Sequence, residues 1–183
     1  MTFDNHEFAD RGGRWLLERG PEDDVVVSCR TRLARNVMGF PFISKLEPER
    51  AAELCGELRE VLTGVRMDGE TIWIEIPGSP AVLRLLLRER HLASRDLAPG
   101  EGEGSEDKLP PGRAVAFGVS ETLSAMVNEE DHLRLQGLAA GFDLGGAWRR
   151  VHDLDTKLEA RVEFAHSERL GYLTGCPTNV GTG

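Results

Sequence analysis

The stretch Ala125-Met126-Val127-Asn128-Glu129-Glu130-Asp131-His132-Leu133-Arg134-Leu135-Gln136 constrains the fold most. An apolar run meets three consecutive carboxylates. After them His132, Arg134 and Gln136 alternate with Leu133 and Leu135. A period of two belongs to a strand with one face on a core, so the segment reads as strand, acidic turn, strand. A helix is the alternative, because Leu123, Met126, Val127 and Glu130 also share a helical face. With acid in the turn and a cation on the strand leaving it, the segment suits a site that orients a cationic nucleophile beside a bound polyanion. The plain alternative is a solvated acidic turn.

A second strand is expected from Val25-Val26-Val27 onward, with the valine run marking it as buried and central. Continued at period two, it puts Ser28, Arg30 and Arg32 on one face. Two guanidinium groups about 7 Å apart repel unless an anion joins them, and phosphate matches arginine's fork of donors. A solvated basic edge strand is the competing reading. Helices are expected from Pro48, with Ala51, Leu54, Cys55, Leu58, Val61 and Leu62 on one face, and after the Ser79-Pro80 cap pair. His91 ends the second of these as a helix-terminal histidine. Thr71 to Ile76 and Ala114 to Val119 read as strands. Between them Pro99 to Gly112 is an acidic, glycine-rich loop. Trp148, Val151, Leu154, Leu158 and Val162 mark a last long helix. Cys55 reads as a packed thiol, whereas Cys176 lies in a polar, glycine-flanked loop where a thiol can be reactive, with a structural role as the plain alternative.

Composition narrows the class. The 183 residues suit one domain, with a lead-in over 1–20 and a folded body over 21–183. A net charge of −9 argues against a general nucleic-acid binder. Three scattered cysteines form neither a disulfide framework nor a zinc site and fit a reducing, cytoplasmic setting. No signal-peptide pattern and no membrane-length apolar run is present.

Three stretches carry a family resemblance. They are Ser28-Cys29-Arg30-Thr31-Arg32-Leu33-Ala34-Arg35-Asn36, then Asn128-Glu129-Glu130-Asp131-His132-Leu133-Arg134, then Cys176-Pro177-Thr178-Asn179-Val180-Gly181-Thr182-Gly183. In this order they resemble the guanidino phosphotransferases, the phosphagen kinase superfamily. Arg32-Leu33-Ala34-Arg35-Asn36 and Gly171-Tyr172-Leu173-Thr174 look like the bacterial protein arginine kinase branch. The resemblance implies an α+β fold: a large, mostly antiparallel sheet flanked by helices, similar to the glutamine synthetase catalytic domain. It implies ATP-dependent phosphorylation of a guanidinium group, on arginine side chains in proteins. It further implies that Ser28, Cys29, Arg30, Thr31, Arg32, His91 and Arg134 bind ATP. Glu130 is implied as the catalytic carboxylate and Cys176 as the reactive cysteine near the guanidinium. Mg²⁺ is expected to be held through the ATP phosphates, with no protein metal site. Implied partners are arginine-containing protein substrates, a zinc-binding activator protein and protein-degradation machinery.

The chemistry suits these residue types. A guanidinium with a pKa above about 12 is a poor nucleophile. A carboxylate must hold it in line and help remove its proton. The phosphoryl group itself needs positioning and charge stabilisation. Two small departures are Cys29, where the family usually has serine, and Gly175, where a small hydroxyl residue is common. With about twenty residues before the first arginine strand, the helical domain of small-molecule phosphagen kinases is not expected here. The family's further arginines and second carboxylate loop are expected beyond Gly183, making this the N-terminal half of the catalytic domain. Two other readings stay open: a non-catalytic relative that binds ATP or phosphoarginine, and a small-molecule phosphagen kinase.

Overall fold

A computed structural model of the chain describes Phe8 and residues 12–100 and 109–181. Most of the expected acidic loop, and Thr182 and Gly183 of the last motif, lie outside these residues. Five strands form one antiparallel sheet: β1 (Ser28–Arg35), β2 (Thr71–Glu75), β3 (Ala114–Gly118), β4 (Leu123–Val127) and β5 (Leu133–Ala140). Their spatial order is β1-β5-β4-β3-β2. A two-stranded ribbon, β6 (His166–Ser167) with β7 (Gly171–Tyr172), follows near the end. The sheet with its flanking helices is the expected α+β fold.

The acidic segment folds as strand, turn, strand. β4 pairs with β5 from Val127↔Leu133 to Leu123↔Gly137. The turn closes through the Asn128 amide, which donates to the His132 carbonyl at 3.0 Å. Asn128 takes φ +54° there, a left-handed conformation that asparagine tolerates better than most residues.

One side of the sheet packs against two helices, α2 (Pro48–Gly64) and α4 (Leu144–Glu159). Pro48 at the first helical position starts α2 with its φ preset. Leu54, Leu58 and Leu62 then recur at i, i+4 and i+8 and are fully buried. Asp143 caps α4, its carboxylate accepting from the Gly146 amide at 2.8 Å. Val151, Leu154 and Leu158 bring α4 onto Leu33 and Leu135. Gly137 permits this approach, since a Cβ there would stand 2.5 Å from the Ala147 carbonyl oxygen. Arg35 at the end of β1 reaches Asp155 of α4 through two hydrogen bonds of 3.0 and 2.7 Å, both groups buried.

The other side is covered only in part. Helix α3 (Ala81–Glu89) and Leu92, Ala93, Leu97 and Ala98 pack on Ile74, Val115, Phe117 and Met126. This core reaches β4 and stops. Beyond it, helix α1 (Arg14–Leu17) lies against β5, with Trp15 buried, so part of the expected lead-in packs on the folded body.

Three details differ from expectation. The valine run is not in the strand: residues 21–25 form a turn, Glu22 has φ +58°, and Val25 and Val27 are 78% and 67% exposed. The turn chemistry of Gly20-Pro21-Glu22-Asp23-Asp24 overrides the apolar signal, and the buried half of β1 is Leu33-Ala34-Arg35. Nor is β1 central, because among the described residues it pairs only with β5. Pro80 rather than Ser79 caps α3, and the Ser79 hydroxyl donates instead to the Ile76 carbonyl at 2.6 Å.

Candidate functional site

Register decides which side chains meet. Across the β1–β5 pair Arg30 faces Leu138, Arg32 faces Gln136, and Ala34 faces Arg134. Directly opposed residues project to the same side. Arg30, Arg32 and Arg134 therefore share the side of the sheet on which α3 packs, over the β1–β5 part that α3 does not reach. Desolvation, followed by the charges of Arg32 and then Arg134, pushes the Arg30 guanidinium below its ordinary value. Among the described residues neither Arg30 nor Arg32 has a carboxylate partner. Arg134 has two: Nη1 donates to Glu129 Oε1 at 3.0 Å, and Nη2 donates to Glu130 Oε2 at 2.8 Å.

The acidic turn divides its labour. Glu129 is buried against Arg134, whereas Glu130 is exposed at the open end of the arginine side. Asp131 is fully buried, and its Oδ1 accepts from Asn36 Nδ2 at 2.6 Å and from the Gly175 amide at 2.5 Å. His132 is also fully buried. Its Nδ1 accepts from the Val37 amide at 3.0 Å, so Nε2 carries the proton and donates to the Pro41 carbonyl at 2.9 Å. Burial holds this imidazole below its ordinary pKa.

The loop carrying Cys176 docks on this turn. A Cβ on Gly175 would come within 3.0 Å of the Glu130 carbonyl oxygen, so the two backbones are in contact. Cys176 is half-buried, with Sγ 2.9 Å from Thr178 Oγ1. Glu130, at one end of the arginine side, and Cys176 thus sit on adjoining segments.

The remaining predicted residues divide by face. Ser28 lies on the arginine side at the far end of β1, opposite Ala140. His91 follows α3 with φ +57°, its carbonyl accepts from Gln136 Nε2, and its ring lies 5.3 Å from that of Trp15. Gln136 faces Arg32, so His91 stands at the rim of the same surface. Cys29 and Thr31 project to the opposite side, opposite Ala139 and Gly137. Cys29 lies near Asp143 at the start of α4, and burial raises its thiol pKa. The Thr31 hydroxyl is buried without a hydrogen-bond partner among the described residues. Neither side chain shares the arginine surface.

Sequence reasoning passed over Glu129, Asn36 and Asp131. All three lie inside the quoted motifs, but only the fold shows Glu129 as the buried partner of Arg134 and Asn36 as a contact of Asp131. Among the described residues no three His, Cys, Asp or Glu side chains gather into a metal-binding group. The nearest carboxylates, Glu129 and Glu130, are already engaged by Arg134.

The family model for the ATP:guanido phosphotransferase C-terminal catalytic domain matches residues 60–183. The Protein-arginine kinase of Halothermothrix orenii is 40% identical over 171 residues, which cover 92% of this chain and 46% of that relative. That of Moorella thermoacetica is 39% identical over 177 residues, covering 95% and 48%. The chain thus spans about half the length of these curated relatives. The substrate-free duplicated taurocyamine kinase from Schistosoma mansoni shares 26% identity and a TM-score of 0.76, covering 94% of this chain and 25% of that one. With these matches and the antiparallel sheet that carries the motif arginines, this chain belongs to the ATP:guanido phosphotransferase family.

Proposed function

We propose that the chain supplies the phosphate-binding arginines and the guanidinium-orienting carboxylate of an ATP-dependent kinase that phosphorylates arginine side chains in proteins. The observation that carries this reading is the open surface shared by Arg30, Arg32 and Arg134, with Glu130 at its end and the Cys176 loop adjoining Glu130. Arg30 and Arg32, which lack carboxylate partners among the described residues, offer their donors to ATP phosphate oxygens. Ser28 and His91 flank that position. Cys29 and Thr31 serve by packing β1 against α4. The relatives' name, Protein-arginine kinase, favours a protein substrate over a free guanidino compound.

In the reaction a guanidinium nitrogen of the substrate arginine attacks the γ-phosphorus. The bond from phosphorus to the bridging oxygen breaks, and ADP leaves with that oxygen. Glu130 holds the guanidinium in line and accepts the proton it loses. Cys176 lies on the adjoining segment, where it faces the same guanidinium. Mg²⁺, carried by the phosphates of ATP, offsets their charge. Arg134 connects the two halves of the site, because a phosphate drawing on it loosens its hold on Glu130 and frees that carboxylate for substrate.

The test is reconstitution. The chain is co-expressed with the C-terminal half of the Halothermothrix orenii relative and supplied with ATP and an arginine-rich protein or free arginine. Acid-labile phosphate on protein arginine is the expected product, and Glu130→Gln slows its formation by about 10²- to 10⁴-fold. Phosphorylation of free arginine alone would contradict the protein-substrate assignment. ATP binding without any transfer would favour a non-catalytic relative.

A further inference from the structure

Asp131 is a fully buried carboxylate to which the proposed chemistry gives no part, and its Oδ2 has no hydrogen-bond partner among the described residues. Burying a carboxylate is costly unless its neighbours compensate, and those at Oδ1 are telling. One is Asn36 Nδ2, from the residue that follows β1. The other is the Gly175 amide, from the residue that precedes Cys176. Asp131 itself follows Glu130. Asn36 completes the connection: its Nδ2 also reaches the Leu173 carbonyl at 3.0 Å, and its Oδ1 accepts from the His132 amide at 3.0 Å. Segments far apart in sequence, each carrying one of the three motifs, are tied by two buried side chains. The Gly175 position leaves little slack, since a Cβ there would also lie 3.3 Å from Asp131 Oδ1.

We infer that Asn36 and Asp131 are positioning residues that set the separation of Glu130 from Cys176 by locking the 173–176 loop to the acidic turn. The inference rests on the roles given above to Glu130 and Cys176, but the lock is a property of the free chain and can be tested without ATP. Anchoring through backbone amides fixes the loop whatever its side chains, and the β1 end supplies a rigid third point. An amide held by a buried carboxylate exchanges its hydrogen slowly, and loss of that bond raises exchange by about 10- to 100-fold.

The experiment measures amide hydrogen exchange by NMR on the 183-residue chain, with alkylation of each cysteine by iodoacetamide followed by mass spectrometry. Asp131→Ala and Asn36→Ala are expected to raise exchange at Gly175 by at least about 10-fold and to speed alkylation of Cys176. Exchange at Ala125 and Leu135, and protection of the core thiol Cys55, should stay as in the unsubstituted chain. Asp131→Asn keeps an acceptor at Oδ1 and should hold Gly175 exchange within about 3-fold of the original. Should Asp131→Ala fail to fold, Asn36→Ala decides, because it removes an uncharged group. Unchanged Gly175 exchange in the alanine variants overturns the lock, as does equal loss in Asp131→Asn. Loss of β4 and β5 protection together with the loop in Asn36→Ala also overturns it, showing a core role instead. A lock that holds in a chain that fails to bind MgATP would leave this result intact and count only against the nucleotide site.

Discussion

Arg30 and Arg32 place two charges on one strand face with no carboxylate among the described residues to neutralise either. Arg134, one strand away, is already held by Glu129 and Glu130. That asymmetry assigns the residues different tasks. Replacing Arg30 or Arg32 by alanine should weaken MgATP binding by about 1.5–3 kcal/mol, the range for a charged hydrogen bond. Isothermal titration reads this directly, and unchanged affinity would remove the phosphate assignment. In the proposed reaction Glu130 acts on the other reactant. In the reconstituted enzyme Glu130→Gln should lower kcat by about 10²- to 10⁴-fold with nucleotide affinity nearly intact. A parallel loss of ATP binding would make it a structural or metal-linked group.

The acidic turn and the strands beside it were legible because alternation and turn chemistry agreed over Ala125 to Gln136. The same logic failed at Val25-Val26-Val27, where local turn residues outweighed an apolar run, and it placed β1 centrally because side-chain pattern carries no information on which strand edges are paired. Helix α2 was readable from its leucine spacing. The convergence of Arg134 on Arg30 and Arg32 was not, since it depends on the β1–β5 register. Nor was the burial of His132, which an alternating pattern had placed with the polar Arg134 and Gln136. That burial has a consequence for the hairpin. Neutral His132 accepts from Val37 and donates to Pro41, and a proton on Nδ1 would confront the Val37 amide. Its folded pKa is lowered by burial, so below the unfolded value of about 6.5 the unfolded chain binds more protons and stability falls with pH. Between about pH 6.5 and 5.5 the loss amounts to at most about 1.4 kcal/mol. Thermal melts of His132→Gln, whose amide can replace both hydrogen bonds, should lack this component. An identical pH profile in both chains would show that another group is responsible.

At the scale of the molecule, β1 presents an edge with no strand beside it among the described residues. Leu144 and Trp148 are exposed on α4, the helix that packs over β1. Unpaired edges and uncovered apolar side chains favour association. The 183-residue chain alone should therefore self-associate as concentration rises, read as mass above the monomer in light scattering; a monomer throughout would contradict this. Given ATP and an arginine-rich protein, it should yield no phosphoarginine above background, because groups that stabilise phosphoryl transfer act as a unit. Robust turnover by a monomer would mean that the site is complete in these residues. The central claim, that the β1–β5 surface is the nucleotide-binding side, is tested most directly by titrating MgATP into isotope-labelled chain and mapping amide shift changes. We predict changes at Arg30, Arg32, Arg134, His91 and the turn around Glu130, with the outer surfaces of α2 and α4 silent. Changes confined to those helices, or none at millimolar ATP, would contradict it.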